Sequence, residues 1–138
     1  MNRGTGSALV ITLMLLMILT AIGIYAVDVT TTELDVALQS RVGTATLNAA
    51  EGGVHFAIDR VPDLIPAWED SPILANRTSY VVRSWATGVL TIRPGYGSNY
   101  RFAEFAVQSE GRAAARFAAR RTVEAVVRYG PVPAGTMY

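Results

Sequence analysis

Between Ala8 and Val27 the chain has no charged residue, and Leu, Ile, Met and Val dominate the run. A helix rises about 1.5 Å per residue, so about 20 residues cross a hydrocarbon core about 30 Å thick. The flanks are asymmetric. Arg3 and the free amine precede the run, while Asp28, Glu33 and Asp35 follow it. The positive-inside bias then keeps the N-terminus in the cytoplasm and places everything after Val27 outside it. A secretory signal peptide has a shorter apolar core followed by a small-residue cleavage site. Here Ala21 to Val27 leads into a helix-compatible segment instead. A plain single-pass anchor is the other alternative, and the junction before the run speaks against it: a tiny polar leader ends in Gly6 and passes directly into the apolar helix.

The first helix is expected to continue well past the apolar run. No proline occurs before Pro62, and the residue before a proline is pushed out of helical space, so Val61 is the natural end. From Asp28 to Val61 the apolar spacing is helical. Leu34, Leu38, Val42, Ala45 and Ala49 form one stripe, and Leu47, Ala50, Val54, Ala57 and Val61 form a second. Two stripes on the later half predict two buried faces there and one on the earlier half. A single helix from Ser7 to Val61 would be roughly 80 Å long. Its weak points are the β-branched run Val29-Thr30-Thr31-Thr32 and the glycines Gly43, Gly52 and Gly53, each costing about 1 kcal/mol relative to alanine. A break at Gly52-Gly53 is the alternative boundary. Alternatively, these small residues admit a close neighbour, either another helix or the chain's own sheet.

Beyond Val61 the pattern changes. Pro62, Pro66 and Pro72, with Asp63, Glu69, Asp70 and Asn76 between them, predict an irregular connection anchored by Trp68. The period then becomes two. In Thr78 to Ala86, Tyr80, Val82 and Ser84 alternate with Val81, Arg83 and Trp85. Thr87-Gly88 reads as a turn, Val89 to Arg93 as a short strand ended by Pro94-Gly95, and residues 95–99 as a loop. Tyr100 to Ser109 and Arg120 to Tyr129 are the longest strand candidates. On the last, Val123, Ala125, Val127 and Tyr129 share one face and Thr122, Glu124 and Arg128 the other, as in an antiparallel sheet with one wet face. Residues 111–119 fit either a helical turn or continued strands, and the tail from Gly130 reads as irregular.

The domain layout is therefore a leader at 1–6, a helix at 7–61 whose first part, 7–27, spans the membrane, and a small β-sheet head at 62–138. The head has 77 residues and no cysteine to staple it, and domains of that size bury too little surface to be robust alone. The second stripe supplies the missing surface. The fold class is α+β, a long N-terminal helix with a small antiparallel sheet packed on its C-terminal half.

Chemistry is sparse. The formal charge of +1 implies no strongly charged partner, and the absence of cysteine excludes disulfides and thiolate metal sites. His55 is the single histidine, which leaves no histidine pair for a metal and no catalytic triad. Asp28, Glu33 and Asp35 read as a solvated collar outside the membrane. Glu69-Asp70 lacks the further oxygen ligands calcium needs. Gly95-Tyr96-Gly97 lacks phosphate-loop spacing. Arg112, Arg116, Arg120 and Arg121 with Phe117 resemble a nucleic-acid-binding run, but charge guarding a sheet edge is the commoner use of such residues. No enzyme, cofactor, metal site or nucleic-acid partner is expected.

Four segments carry a family resemblance. Gly6-Ser7-Ala8-Leu9-Val10-Ile11, then Leu19-Thr20-Ala21-Ile22-Gly23, then Thr31-Thr32-Glu33, and Asn48-Ala49-Ala50-Glu51-Gly52-Gly53, resemble in order and spacing the N-terminal part of PilX-type minor pilins of type IV pili. The resemblance implies a pilin-like fold and cleavage of the leader between Gly6 and Ser7 by prepilin peptidase. It further implies N-methylation of Ser7, storage in the inner membrane with the head outside the cytoplasm, and a place on the surface pilus after assembly. It implies packing against the major pilin and other minor pilins through Leu9, Ile11, Leu13, Leu16, Leu34, Leu38 and Val42. Major pilins carry a glutamate as the fifth residue past the cut, where this chain has Ile11. PilX-type minor pilins and the K-type minor pseudopilins of type II secretion resemble the chain in that respect, and the K-type proteins carry a large extra domain that this chain lacks. The function expected is that of a minor pilin that helps initiate assembly at or near the pilus tip. A minor pseudopilin, or a bitopic membrane protein with a periplasmic binding head, are the alternatives.

Overall fold

With no proline before Pro62, nothing up to that point removes a helical N–H. Helix α1 accordingly runs Gly4–Arg60, ending one residue before the expected Val61. The Val61 N–H donates to the Ile58 carbonyl at 3.2 Å and the Asp63 N–H to that of Arg60 at 2.7 Å, tight turns that use carbonyls left open at a helix end. The threonine run does not break the helix, and each of its hydroxyls donates to a carbonyl one turn back. Thr30 reaches Ala26 at 2.8 Å, while Thr31 and Thr32 reach Asp28 at 2.8 and 2.9 Å. Gly52-Gly53 also lies inside α1 rather than at its boundary.

The computed structural model describes residues 4–136. The first three residues of the expected leader and the last two of the tail lie outside that range. The chain divides into two compact units, one ending at Ser40 and the other covering Arg41–Tyr138.

The second unit combines the end of α1 with four strands: β1 (Glu69–Asp70), β2 (Ser79–Thr91), β3 (Tyr100–Arg112) and β4 (Arg120–Pro133). They form one antiparallel sheet in the order β1-β2-β3-β4. The α+β architecture is as expected, and so is the alternation on β4, where Val123, Ala125 and Val127 are half-buried and Thr122, Glu124 and Arg128 exposed. Two local readings are corrected, and one open between alternatives is settled. Thr87-Gly88 is a bulge within β2 rather than a turn between strands. Register slips between Ala86↔Phe105 and Leu90↔Ala103, so Thr87, Gly88 and Val89 stand opposite Glu104 alone. Gly88 takes φ 76°, and the Thr87 hydroxyl donates to the Glu104 carbonyl at 3.0 Å. The tail is not irregular from Gly130, because β4 continues to Pro133 through a second register slip opposite Arg101 and Ala103. Of residues 111–119, the first two finish β3. The rest form a loop closed by the Ala113 N–H donating to the Ala119 carbonyl at 3.0 Å.

The core lies between the sheet and one face of α1. Thr46, Ala49, Ala50, Gly53, Val54 and Ala57 are buried at alternating steps of three and one; Val54 and Ala57 join Val82 and Val107 from the strands and Ile65 from the connection in one cluster, and Gly53 lies against Ser109. The two expected stripes are thus one. Ala49 from the first and Ala50, Val54 and Ala57 from the second merge into a single face, while Leu47 is exposed. Residues one apart on a helix differ by about 100°, so both share a face wide enough for a sheet.

Small side chains set the spacing. A Cβ on Gly111 of β3 would run into the Thr46 carbonyl and lie 2.7 Å from the Ala50 nitrogen. A Cβ on Gly53 would meet the Ser109 hydroxyl and lie 2.7 Å from the Tyr80 ring. The connection is tied down by Ser84, whose N–H donates to the Ile65 carbonyl at 2.7 Å and whose hydroxyl accepts from the Ile65 N–H at 2.9 Å.

Candidate functional site: the N-terminal helix

The first unit is a helix whose described apolar side chains are exposed. Leu9, Leu13, Leu16 and Leu34 are all more than half exposed, Ile11 is 56% exposed and Leu38 is exposed as well. Val42, in the second unit, is half-buried. An isolated surface leucine needs no explanation, but an apolar surface that encircles a helix for five turns does. Such a helix is stable only in lipid or against other apolar helices.

The polar groups inside the run are made compatible with lipid by local bonds. The Thr12 hydroxyl is 3.0 Å from the Ala8 carbonyl and 2.9 Å from that of Leu9, and the Thr20 hydroxyl donates to Leu16 at 2.7 Å. Neither brings an unsatisfied donor into the hydrocarbon. Among the described residues this is the one helix long and apolar enough to cross a membrane. Beyond it, Asp28, Val29, Thr32, Glu33, Val36, Ala37 and Ser40 line a strip along one helix face, open to the outside.

No group of residues capable of holding a metal is present among the described residues. His55 is exposed on α1. Glu69 pairs with Arg60 at 3.0 Å and Asp70 with Arg112 at 3.4 Å, so both acids are committed to cations. Two arginines of the basic run are held in ion pairs. Arg112 and Arg120, opposite each other in the β3–β4 register, reach Glu110 at 2.9 and 3.5 Å, and Arg116 lies 4.8 Å from the centre of the Phe117 ring.

One cluster escaped the sequence reading. On the open face of the sheet, the Arg83 guanidinium lies 4.7 Å from the centre of the Trp68 ring and 5.1 Å from that of Trp85. Its Nε and one Nη donate to the Gln108 side-chain oxygen at 2.9 and 2.6 Å, and Gln108 in turn donates to Glu124 at 2.7 Å. Alternation along β2 places Arg83 and Trp85 on one face. The pairing Glu69↔Val82, which sets Trp68 beside Arg83, leaves no trace in a two-residue strand.

Residues 5–55 match the family model PilX N-terminal. The chain carries a PilX-type pilin N-terminus. The match takes in most of the first unit and most of the helical face that supports the sheet, and the protein is type IV pilin-like, with a transmembrane helix and a pilin-like α+β fold. The family is one of structural pilus subunits, which points to association with other pilus components and to anchoring in a membrane. No curated protein and no solved structure matches the chain.

Proposed function

We propose that this pilin-like chain is a minor pilin, stored in the inner membrane with its head outside the cytoplasm, that helps initiate assembly at or near the pilus tip. Cleavage between Gly6 and Ser7 by prepilin peptidase, followed by methylation of the Ser7 amine, delivers the mature helix. Leu9, Ile11, Leu13, Leu16, Leu34, Leu38 and Val42 then contact the major pilin and other minor pilins in the filament.

The observation that carries this reading is Ile11 in a PilX-type N-terminus. A glutamate at this depth in lipid costs a few kcal/mol unless it is paired. A subunit in the body of the filament keeps that glutamate because a neighbour offers its terminal amine. A subunit that starts the fibre has no such neighbour, and an apolar residue is then the less costly one. Deleting the protein should sharply reduce filament number while the major pilin pool remains in the membrane, and Ile11→Glu should shift it toward incorporation along the shaft. Finding the wild-type protein at near-major stoichiometry along sheared filaments would rule the reading out.

A further inference from the structure

Among the described residues, the open face of the sheet carries a cation with no direct ion pair. Arg83 is half-buried between the Trp68 and Trp85 rings, and among the described residues no carboxylate forms an ion pair with it. Its hydrogen bonds go to the neutral amide of Gln108. Stacking on indole faces attracts a guanidinium and holds its plane fixed, but it also strips away water that would otherwise stabilise the charge. A positioned, partly desolvated guanidinium gains most from a carboxylate, through charge-assisted hydrogen bonds.

Its surroundings narrow the class of ligand. Trp68 and Trp85 remain 46% and 41% exposed. Trp85, Ala106 and Val126 pair in sequence across β2, β3 and β4, giving an apolar row that ends at Val126, 62% exposed. Beside it runs the polar row of Arg83, Gln108 and Glu124. A flat apolar strip next to a guanidinium, an amide and a carboxylate suits a pyranose ring. The weakly positive C–H face of the sugar lies on the negative face of an indole, and its hydroxyls meet planar polar side chains. A polyphosphate strand suits it badly, because phosphates laid along the sheet would meet Glu124 and Glu104. We propose that this face binds a glycan ending in an acidic sugar, its carboxylate on Arg83 and its ring on the tryptophans.

Trp68 and Trp85 are the only tryptophans in the chain, so indole fluorescence of the full-length protein in detergent reports on this site alone. The probes are cellobiouronic acid and cellobiose, which differ only by a carboxylate in place of a hydroxymethyl group. A saturable fluorescence change with the acid is expected, with cellobiose about tenfold weaker, the scale of one charge-assisted bond. In Arg83→Gln the preference should fall to within about twofold. No saturable change with the acid, or equal responses to the two sugars in the wild-type protein, would overturn the proposal without recourse to a variant. So would a response to a short single-stranded oligonucleotide with none to the sugar acid.

Discussion

At the residue scale the contact between helix and sheet depends on which glycines have room. Gly111 faces backbone: a Cβ there meets the Thr46 carbonyl and the Ala50 nitrogen, neither of which can rotate away. Gly52, one residue from the buried Gly53, has nothing within 4 Å of the position its Cβ would take. Gly111→Ala should therefore destabilise the fold by about 1–3 kcal/mol, whereas Gly52→Ala should stabilise it by up to about 1 kcal/mol through helix propensity. Urea melts of the two variants check both signs. Tyr80 offers a pH-dependent probe of the same interface. Burial, and next to it the negative charge of Glu69, raise its phenol above the ordinary value of 10.0, with Arg60 acting in the opposite sense. Below that value both folded and unfolded chains hold the proton, and the contribution to stability is full. As pH rises past it the unfolded chain releases the proton first, and stability falls until the folded phenol also ionises. The loss of stability across this window should be smaller in Tyr80→Phe, measured as the change in urea midpoint from below to above the phenol range.

At the scale of elements, the second unit begins at Arg41, and every buried helix residue, from Thr46 to Ala57, lies after that point. A chain lacking residues 1–27 retains this face and all four strands. It is expected to be soluble, with a β signal in circular dichroism and a cooperative melt. A purely helical or random spectrum would show that the sheet needs the apolar segment to form. The long helix was legible in the sequence because proline absence, charge absence and 3.6-residue periodicity agree over many residues. The alternating strands were legible for the same reason. What escaped was set by contacts distant in sequence. Gly88 reads as a turn residue locally, and only the β3 strand opposite shows that it sits in a bulge. The two stripes became one because their members at 49 and 50 face the same sheet, whose width no periodicity records. Pro131 and Pro133 looked like a chain end, yet Gly130, with φ 155° and only 2.9 Å from its Cβ position to the Arg101 carbonyl, carries β4 past them. Of the candidate site, the apolar helix was visible at once, whereas the Trp68–Arg83–Trp85 cluster depends on a two-residue strand pairing.

At the scale of the molecule, the chain joins two kinds of surface. The described apolar side chains of the first unit are exposed, and the second unit buries its own core between a helix face and a four-stranded sheet. A subunit of this kind can wait in a bilayer and later exchange lipid for helical neighbours, since both environments satisfy the same side chains. The proposed exchange requires the leader to be removed, so that the mature helix starts at Ser7. The most direct measurement is the mass of the N-terminal peptide of the protein purified from membranes of cells with an active prepilin peptidase. A peptide that begins at Ser7 and carries one added methyl group on its amine is expected; a peptide still carrying Met1 to Gly6 would show that the leader stays on and that the chain is no processed pilin.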